Sequence, residues 1–409
     1  MSVVSVFSGS FCGEEAFIKA MLAETGYRLI DDEMLVLRAN GLSSLSPDLL
    51  RRSFSAKPSV FNPFTRERER CLTWLKLALA EYLQETGFLL HGFAAHLVPA
   101  SIRHVLRIGL IADMAHRVEA ASAQLGIGHE AAAGRIRELD RDQTSWVQAF
   151  HPGSDPWAPA LYDILLPGHK IDAREAADLV MRSLGTEAVR ASDSSLRATR
   201  EFLSAARIQA ALVAEGHFVT VTVQAGAAVL TVDRPVLMQE RLEAELKAVV
   251  RAATDIADVE VRIRPAVQQS PAYTQYSPDR MSKVLLVDDE REFVQTLSER
   301  LGMRDIGSAA AFDGESALEL VRDDEPEVML LDLRMPGIDG IEVLKRVKAE
   351  HPQIEVVILT GHGTDVDRKQ CLQMGAFAYL EKPVDIDVLS DTLKRANEKM
   401  RANVRKLKA

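Results

Sequence analysis

The sequence predicts a multidomain α/β protein, and three observations predict it. Short apolar runs alternate with amphipathic helical patterns over residues 283–400, and the same alternation runs more loosely through residues 1–190. Between them lies a small α+β stretch in the order α-β-β-α-β. At 409 residues the chain exceeds one ordinary core, for which about 100–200 residues is usual. Apolar residues at 47% and charged residues at 26% give the balance of a chain that buries a core, so disorder is expected only in linkers.

Charge and cysteine usage narrow the classes. A net charge of −10 provides no overall basic field, which excludes general binding to nucleic acid or anionic membrane. Cys12, Cys71 and Cys371 lie far apart without metal-ligand spacing, which fits a reducing compartment. The start, "MSVVSVFSGSFCG", has neither a basic opening nor an apolar run of export-signal length. The apolar stretch "GFLLHGFAAHLVPA" is interrupted by His91, His96 and Pro99 and is too short to cross a bilayer. A cytoplasmic protein without a transmembrane segment is expected.

The clearest linker is "AVQQSPAYTQYSPDRMS", residues 266–282, which has no helical or strand period. A weaker boundary is "ASDSSLR", residues 191–197, where Ser194 or Ser195 could cap the next helix. Three blocks follow: 1–190, 195–265 and 283–400. No internal repeat links them.

The first block opens with the strand "VVSVF", a Gly-bearing turn and the helical pattern "AFIKAMLAETG", with Gly26 placed to stop the helix before the strand "YRLI". "ETGFLLHGF", "RHVLRIGLIADMAHRV" and "LYDILLPGHKIDAREAADLVMRSL" continue the alternation, so a parallel sheet is expected. The first turn, "SGSFCGEEAF", has the frame of a phosphate-binding loop. Gly9 opens it, Gly13 follows, and the positions for Gly-Lys-Ser/Thr are Glu14, Glu15 and Ala16. An anion in place of the lysine turns an attraction of about 4 kcal/mol at 4 Å into a comparable repulsion. The two glutamates instead suit the first turn of a helix, whose dipole favours acids. Asp31 and Asp32 suit the cap of the next helix, and acids beside Cys12 raise its pKa and make it inert.

"GSFCGEEAFIKAMLAETGYRLIDDEML", "IADMAHRVEA", "LDRDQTSW" and "YDILL", in this order, resemble the cytidylate-kinase-like branch of the P-loop nucleoside monophosphate kinases. Against that family, Phe93 follows Gly92 where an arginine is usual, and Gln143 stands where a lid arginine is expected after Asp140; Arg117 and Arg141 remain. The resemblance therefore implies a P-loop kinase-like fold, and the departures imply a catalytically inactive one that binds no nucleotide. An active nucleoside monophosphate kinase regulated by the third block and a non-catalytic nucleotide or metabolite sensor stay open as alternatives.

In the second block, "LRATREFLSAARIQAALVAE" has a helical period, "HFVTVTV" and "AVLTV" alternate around a turn with Gly226, Leu242, Leu246, Val249 and Val250 form a helix stripe, and "VEVRIRP" is a last strand. This order resembles the BON domain, a module met in envelope proteins and associated with phospholipid or ligand contacts.

The third block carries the chemistry. "KVLLVDDE", "EVMLLDLRMPGIDG", "EVVILTGHG" and "AYLEKP" are short buried strands, and "GIEVLKRVKAEH" is one of the helices between them. A parallel sheet places its site at the carboxyl ends of the strands, where Asp288, Asp289, Asp332, Thr360 and Lys382 fall. Three converging carboxylates call for a cation, and an all-oxygen set suits Mg²⁺. Lys382 and Thr360 suit the oxygens of a phosphoryl group on a carboxylate.

The block resembles the CheY-like response-regulator receiver domain along its whole length. The resemblance implies a doubly wound (βα)5 flavodoxin-like fold, Asp332 as phosphoacceptor, and Asp288 and Asp289 as the acidic pocket, with Asp289 a direct metal ligand. It also implies a ligand from the backbone carbonyl of Arg334, Thr360 and Lys382 on the phosphoryl oxygens, Tyr379 with Thr360 as the switch, and a cis Lys382–Pro383 bond. The basic tail "RANVRKLKA" fits a solvated helix end. The expected function is that of a phosphorelay response regulator charged by a histidine kinase or phosphotransfer protein. Its output would pass through the first two blocks to a protein or ligand, with no DNA-binding element evident and a homodimer open to it.

Overall fold

The computed structural model describes residues 2–57, 59–236, 238–264, 283–361 and 363–408, with side chains described up to residue 403. The described residues form two compact units, one of residues 2–57 and 68–264, the other of residues 59–67 and 283–408. The expected linker 266–282 lies outside the described residues.

In the first unit β1 (Val3–Ser8), β2 (Arg28–Asp31), β3 (Phe88–His91), β4 (Val105–Ile111) and β5 (Ile164–Pro167) form a sheet in the order β2-β3-β1-β4-β5. Every pairing is parallel, and β1 is buried at every position, as its unbroken apolar run requires when helices cover both faces. Val3, Ile30, Phe88, Leu90 and Trp146 fill one face; Val4, Val6, Phe17, Leu89 and Ile108 fill the other. The helix Glu14–Thr25 stops at Gly26, whose φ of 67° is open to a residue without Cβ.

The same unit carries the expected α-β-β-α-β order: helix Asp193–Ala214, β6 (Thr220–Gln224), β7 (Ala227–Val232), helix Gln239–Ala253 and β8 (Val259–Ile263). β6 and β7 are antiparallel, and β8 adds parallel to β7. Ala225 and Gly226, with φ of 50° and 83°, make the two-residue left-handed turn that matches strand twist. One expectation is corrected here: Ser192 caps helix Asp193–Ala214, accepting from the Ser195 backbone N–H. Ser195 is instead buried, and its Oγ accepts from the Arg103 and His104 N–H groups. Ser195 thereby ties the first turn of this helix to the entry of β4, while the other residues of 191–197 are exposed.

In the second unit β9 (Val284–Val287), β10 (Ser308–Ala311), β11 (Val328–Leu331), β12 (Glu355–Thr360) and β13 (Ala378–Glu381) form a parallel sheet in the order β10-β9-β11-β12-β13. This is the doubly wound flavodoxin-like order expected from the sequence. Leu285, Val287, Met329, Leu331, Val356 and Ile358 face one apolar cluster; Val284, Leu286, Val328, Leu330, Val357 and Leu359 face the other. Residues 59–67, which the sequence assigned to the block 1–190, belong to this unit, and Phe61 joins its first cluster at 1% exposure. A four-residue helical turn, Asn62–Thr65, is too short to show a period that says which sheet it covers. Among the described residues no helix is long and apolar enough to cross a membrane.

Candidate functional site

In the second unit β9, β11, β12 and β13 each carry a polar residue at the carboxyl end. Asp288 follows β9, Asp332 follows β11, Thr360 ends β12, and Lys382 follows β13. Asp288, Asp289 and Asp332 each offer a carboxylate oxygen within 4.8 Å of the others. Asp288 and Asp332 are buried, while Asp289 is exposed and leaves one side open to water. This hard, all-oxygen donor set with an open side fits Mg²⁺, which keeps several of its waters.

Lys382 Nζ donates to Asp288 Oδ2 at 2.6 Å and stands 3.9 Å from Asp332 Oδ2 and 3.4 Å from Glu290 Oε1. Its position follows from the sheet, since Lys382 N–H donates to the Thr360 carbonyl at 2.9 Å, continuing the β12–β13 ladder by one residue. The Lys382–Pro383 bond is cis, as expected. Burial works against the ammonium charge, yet the hydrogen bond to Asp288 and the fields of Asp288, Asp332 and Glu290 hold Lys382 above its ordinary pKa. Burial pushes the Asp288 carboxyl up, and the Lys382 hydrogen bond opposes that rise.

Asp332 Oδ1 accepts from the Leu333 N–H at 2.8 Å, which fixes the carboxylate and turns Oδ2 toward Lys382. Gly340 presses on the same residue: a Cβ there would lie 2.1 Å from the Asp332 carbonyl oxygen. Thr360 is buried at the strand end, and Arg334 lies exposed two residues beyond Asp332. Tyr379 is buried in β13 with its hydroxyl against Gly363, and that hydroxyl has no hydrogen-bond partner among the described residues. The structure thus brings Asp288, Asp289, Asp332 and Lys382 together.

Two neighbours escaped the sequence reading. Glu290 extends the acidic set around Lys382, and the run "DDE" could have flagged it. Phe293 lies under the ammonium at 4.3 Å from its ring centroid, a cation–π contact with no signal in sequence.

The loop after β1 in the first unit is occupied from within. Glu14 reaches back so that Oε2 accepts from Cys12 N–H at 2.9 Å and Oε1 from Phe11 N–H at 3.4 Å. Phe11 and Gly13 take left-handed φ of 62° and 86°, which aims the amides inward. The carboxylate therefore satisfies the Phe11 and Cys12 amides of the turn between β1 and the helix Glu14–Thr25. Glu15 and Ala16 are exposed on the first helical turn. A Cβ at Gly9 would lie 2.8 Å from Cys12 Sγ, so the loop is closely folded on itself. Burial, assisted by Glu14, pushes the Cys12 thiol up to about 12, although Arg117 opposes it.

Of the two arginines that remain, Arg141 is exposed and Arg117 is engaged. Arg117 donates to both oxygens of Asp140, at 2.5 and 3.1 Å, and from Nε to the Ser10 carbonyl at 2.9 Å. Gln143 donates to the Ser8 carbonyl at 2.8 Å, while Phe93 packs against Phe7, Phe54 and Trp146. Asp31 caps the next helix through Met34 N–H, as expected. Asp32 does not: its carboxylate accepts from Phe93 N–H and Ala94 N–H at 2.8 and 3.0 Å, tying the turn after β3. The cap position fell to Asp31 because its backbone is still extended there.

Comparison with known proteins follows this geometry. The response regulator receiver domain matches residues 284–394. Sporulation initiation phosphotransferase F of Bacillus subtilis is 35% identical over 113 residues, 28% of this chain and 91% of that protein. The chain belongs to the response-regulator receiver family. Transcriptional regulatory protein CpxR of Escherichia coli is 45% identical over 103 residues, 25% of this chain. The match spans 44% of CpxR, under half its length. Among solved structures, the receiver domain of NtrX from Brucella abortus is 32% identical and covers 28% of this chain and 98% of its own, with a TM-score of 0.27. The cytidylate kinase-like family matches residues 12–170. The receiver match lies within the unit that holds Asp332, and all of the kinase-like match except residues 59–67 lies within the unit that holds the Glu14 loop.

Proposed function

We propose that this protein is a response regulator whose receiver accepts a phosphoryl group on Asp332 from a histidine kinase or phosphotransfer protein, in a reducing, cytoplasmic setting. The observation that carries the reading is a buried carboxylate held by one backbone amide, with a lysine and two further carboxylates on its free side. In the transfer the donor's P–N bond breaks as an O–P bond forms at Asp332 Oδ2, the oxygen left free by Leu333. Lys382 leaves Asp288 to meet the new phosphoryl charge, and Thr360 stands ready at the adjacent strand end. Asp288, Asp289, Asp332 and the Arg334 carbonyl would hold Mg²⁺, which supplies neutralisation of phosphoryl charge. Thr360 and Tyr379 then form the switch.

The N-terminal unit serves as a binding module for output. Its loop amides are satisfied by Glu14, and its arginine positions are Phe93 and Gln143, so it has lost the charges that phosphoryl transfer between nucleotides needs. Residues 195–265 form a BON-like partner of that module. Incubation with acetyl phosphate should yield a Mg²⁺-dependent phosphoprotein in the wild type and none in Asp332→Asn. Label persisting in the variant would refute the site. Calorimetry with ATP and CMP should show no binding, and turnover would restore the kinase reading.

A further inference from the structure

The receiver is completed by a segment from far upstream. Phe61 belongs to the apolar cluster that also holds Val321 of helix Gly314–Asp323 and Leu285 of β9. Phe64 covers Gly307 so closely that a Cβ there would lie 2.5 Å from the Phe64 ring. Glu67 Oε1 pairs with Lys283 Nζ at 2.8 Å, their side chains 14% and 17% exposed. Lys283 Nζ is in turn 3.7 Å from Asp324, the buried residue that caps helix Gly314–Asp323, and 5.9 Å from the centroid of the Phe61 ring. Lys283 and Gly307 precede β9 and β10, so the segment sits at the end of the parallel sheet opposite Asp332.

Helix Gly314–Asp323 spans that distance. At its start, a Cβ on Gly314 would lie 2.6 Å from the Ile338 carbonyl, and one on Gly337 would lie 2.9 Å from the Glu315 carboxylate. The loop after Asp332 therefore bears directly on the first turn with no slack. Ten helical residues cover about 15 Å, and the other end meets Lys283 through Asp324. A movement of the loop would therefore press on the helix, and a largely buried ion network is sensitive to small displacements because the surrounding dielectric is low.

We propose that residues 59–67 are the receiver's resident output partner, a peptide bound within the chain whose hold depends on phosphorylation of Asp332. The inference rests on the phosphoacceptor reading given above. Its consequence is that the signal leaves through the chain itself, since residues 57 and 68 on either side belong to the other unit.

Hydrogen exchange of the full-length protein tests it, with phosphoryl incorporation measured on the same sample. With acetyl phosphate and Mg²⁺, amide exchange in residues 59–67 should change at least about fivefold, the low end for coupled sites. Asp332→Asn should show no change. Glu67→Gln should keep phosphorylation while the response falls below about twofold, as the charge that locks the segment to Lys283 is gone. Incorporation with unchanged exchange in 59–67, or a wild-type response in Glu67→Gln, would overturn the proposal and leave the phosphoacceptor reading standing. Absence of incorporation would overturn both.

Discussion

Replacing Lys382 by Met keeps the apolar stem over Phe293 and deletes the charge that holds the carboxylates together. The ammonium is 2.6 Å from Asp288 and 3.9 Å from Asp332, with side chains 14%, 7% and 7% exposed. Breaking a buried pair costs about 3–5 kcal/mol, because the remaining charge is left uncompensated. Lys382 stands at the rim beside exposed Glu290, so about 2–3 kcal/mol is expected. At about 4 °C per kcal/mol for a domain of this size, the receiver transition should fall by about 8–12 °C in EDTA. Scanning calorimetry of the full-length protein measures it. Mg²⁺ should recover most of the loss, since a ligand at 100 times its Kd contributes about 2.7 kcal/mol. The deficit should also shrink as pH falls, because the buried Asp288 carboxyl, already held above its ordinary pKa, takes up a proton once Lys382 is gone. An unchanged transition in EDTA, or Mg²⁺ stabilising wild type and variant equally, would refute the assignment of Lys382 as counter-ion.

Other perturbations test the remaining contacts. Glu14→Ala frees the Cys12 and Phe11 amides; it should cost about 1 kcal/mol and let millimolar pyrophosphate raise the first unit's melting temperature, a shift absent in the wild type. Burial pushes the Asp32 carboxyl up from 3.8 to about 7, so the folded state holds this proton more tightly than the unfolded chain. Stability of the first unit should therefore fall as pH rises from about 4 to about 7, and Asp32→Asn should flatten that slope in urea titrations at each pH. Gly340→Ala places a Cβ 2.1 Å from the Asp332 carbonyl; it should lower receiver stability by about 1–3 kcal/mol and cut phosphorylation by acetyl phosphate, because the loop must move.

Much of the second unit was legible because its signals are local. Four strands end on residues of distinctive chemistry, and the strand order brings those ends together whatever the details of packing. Asp288, Asp289, Asp332 and Lys382 could be placed from that rule alone. Residues 59–67 were not legible: Phe61 lies more than two hundred positions from the cluster it fills, and a four-residue turn carries no period. In the first unit, the missing lysine was plain in the sequence, but the fate of the loop amides was not. A glutamate in a first helical turn can face water or fold back, and only the left-handed Phe11 and Gly13 decide that Glu14 folds back. Asp31 and Asp32 show the same limit, since two adjacent acids at a helix start compete for one cap and the loser was placed by a turn sixty residues away.

The most direct test of the central claim is the identity of the phosphorylated residue. Protein treated with acetyl phosphate and Mg²⁺, reduced with borohydride and digested, should carry homoserine at position 332, the product expected from an aspartyl phosphate. Homoserine at another aspartate, with position 332 unmodified, would contradict the account.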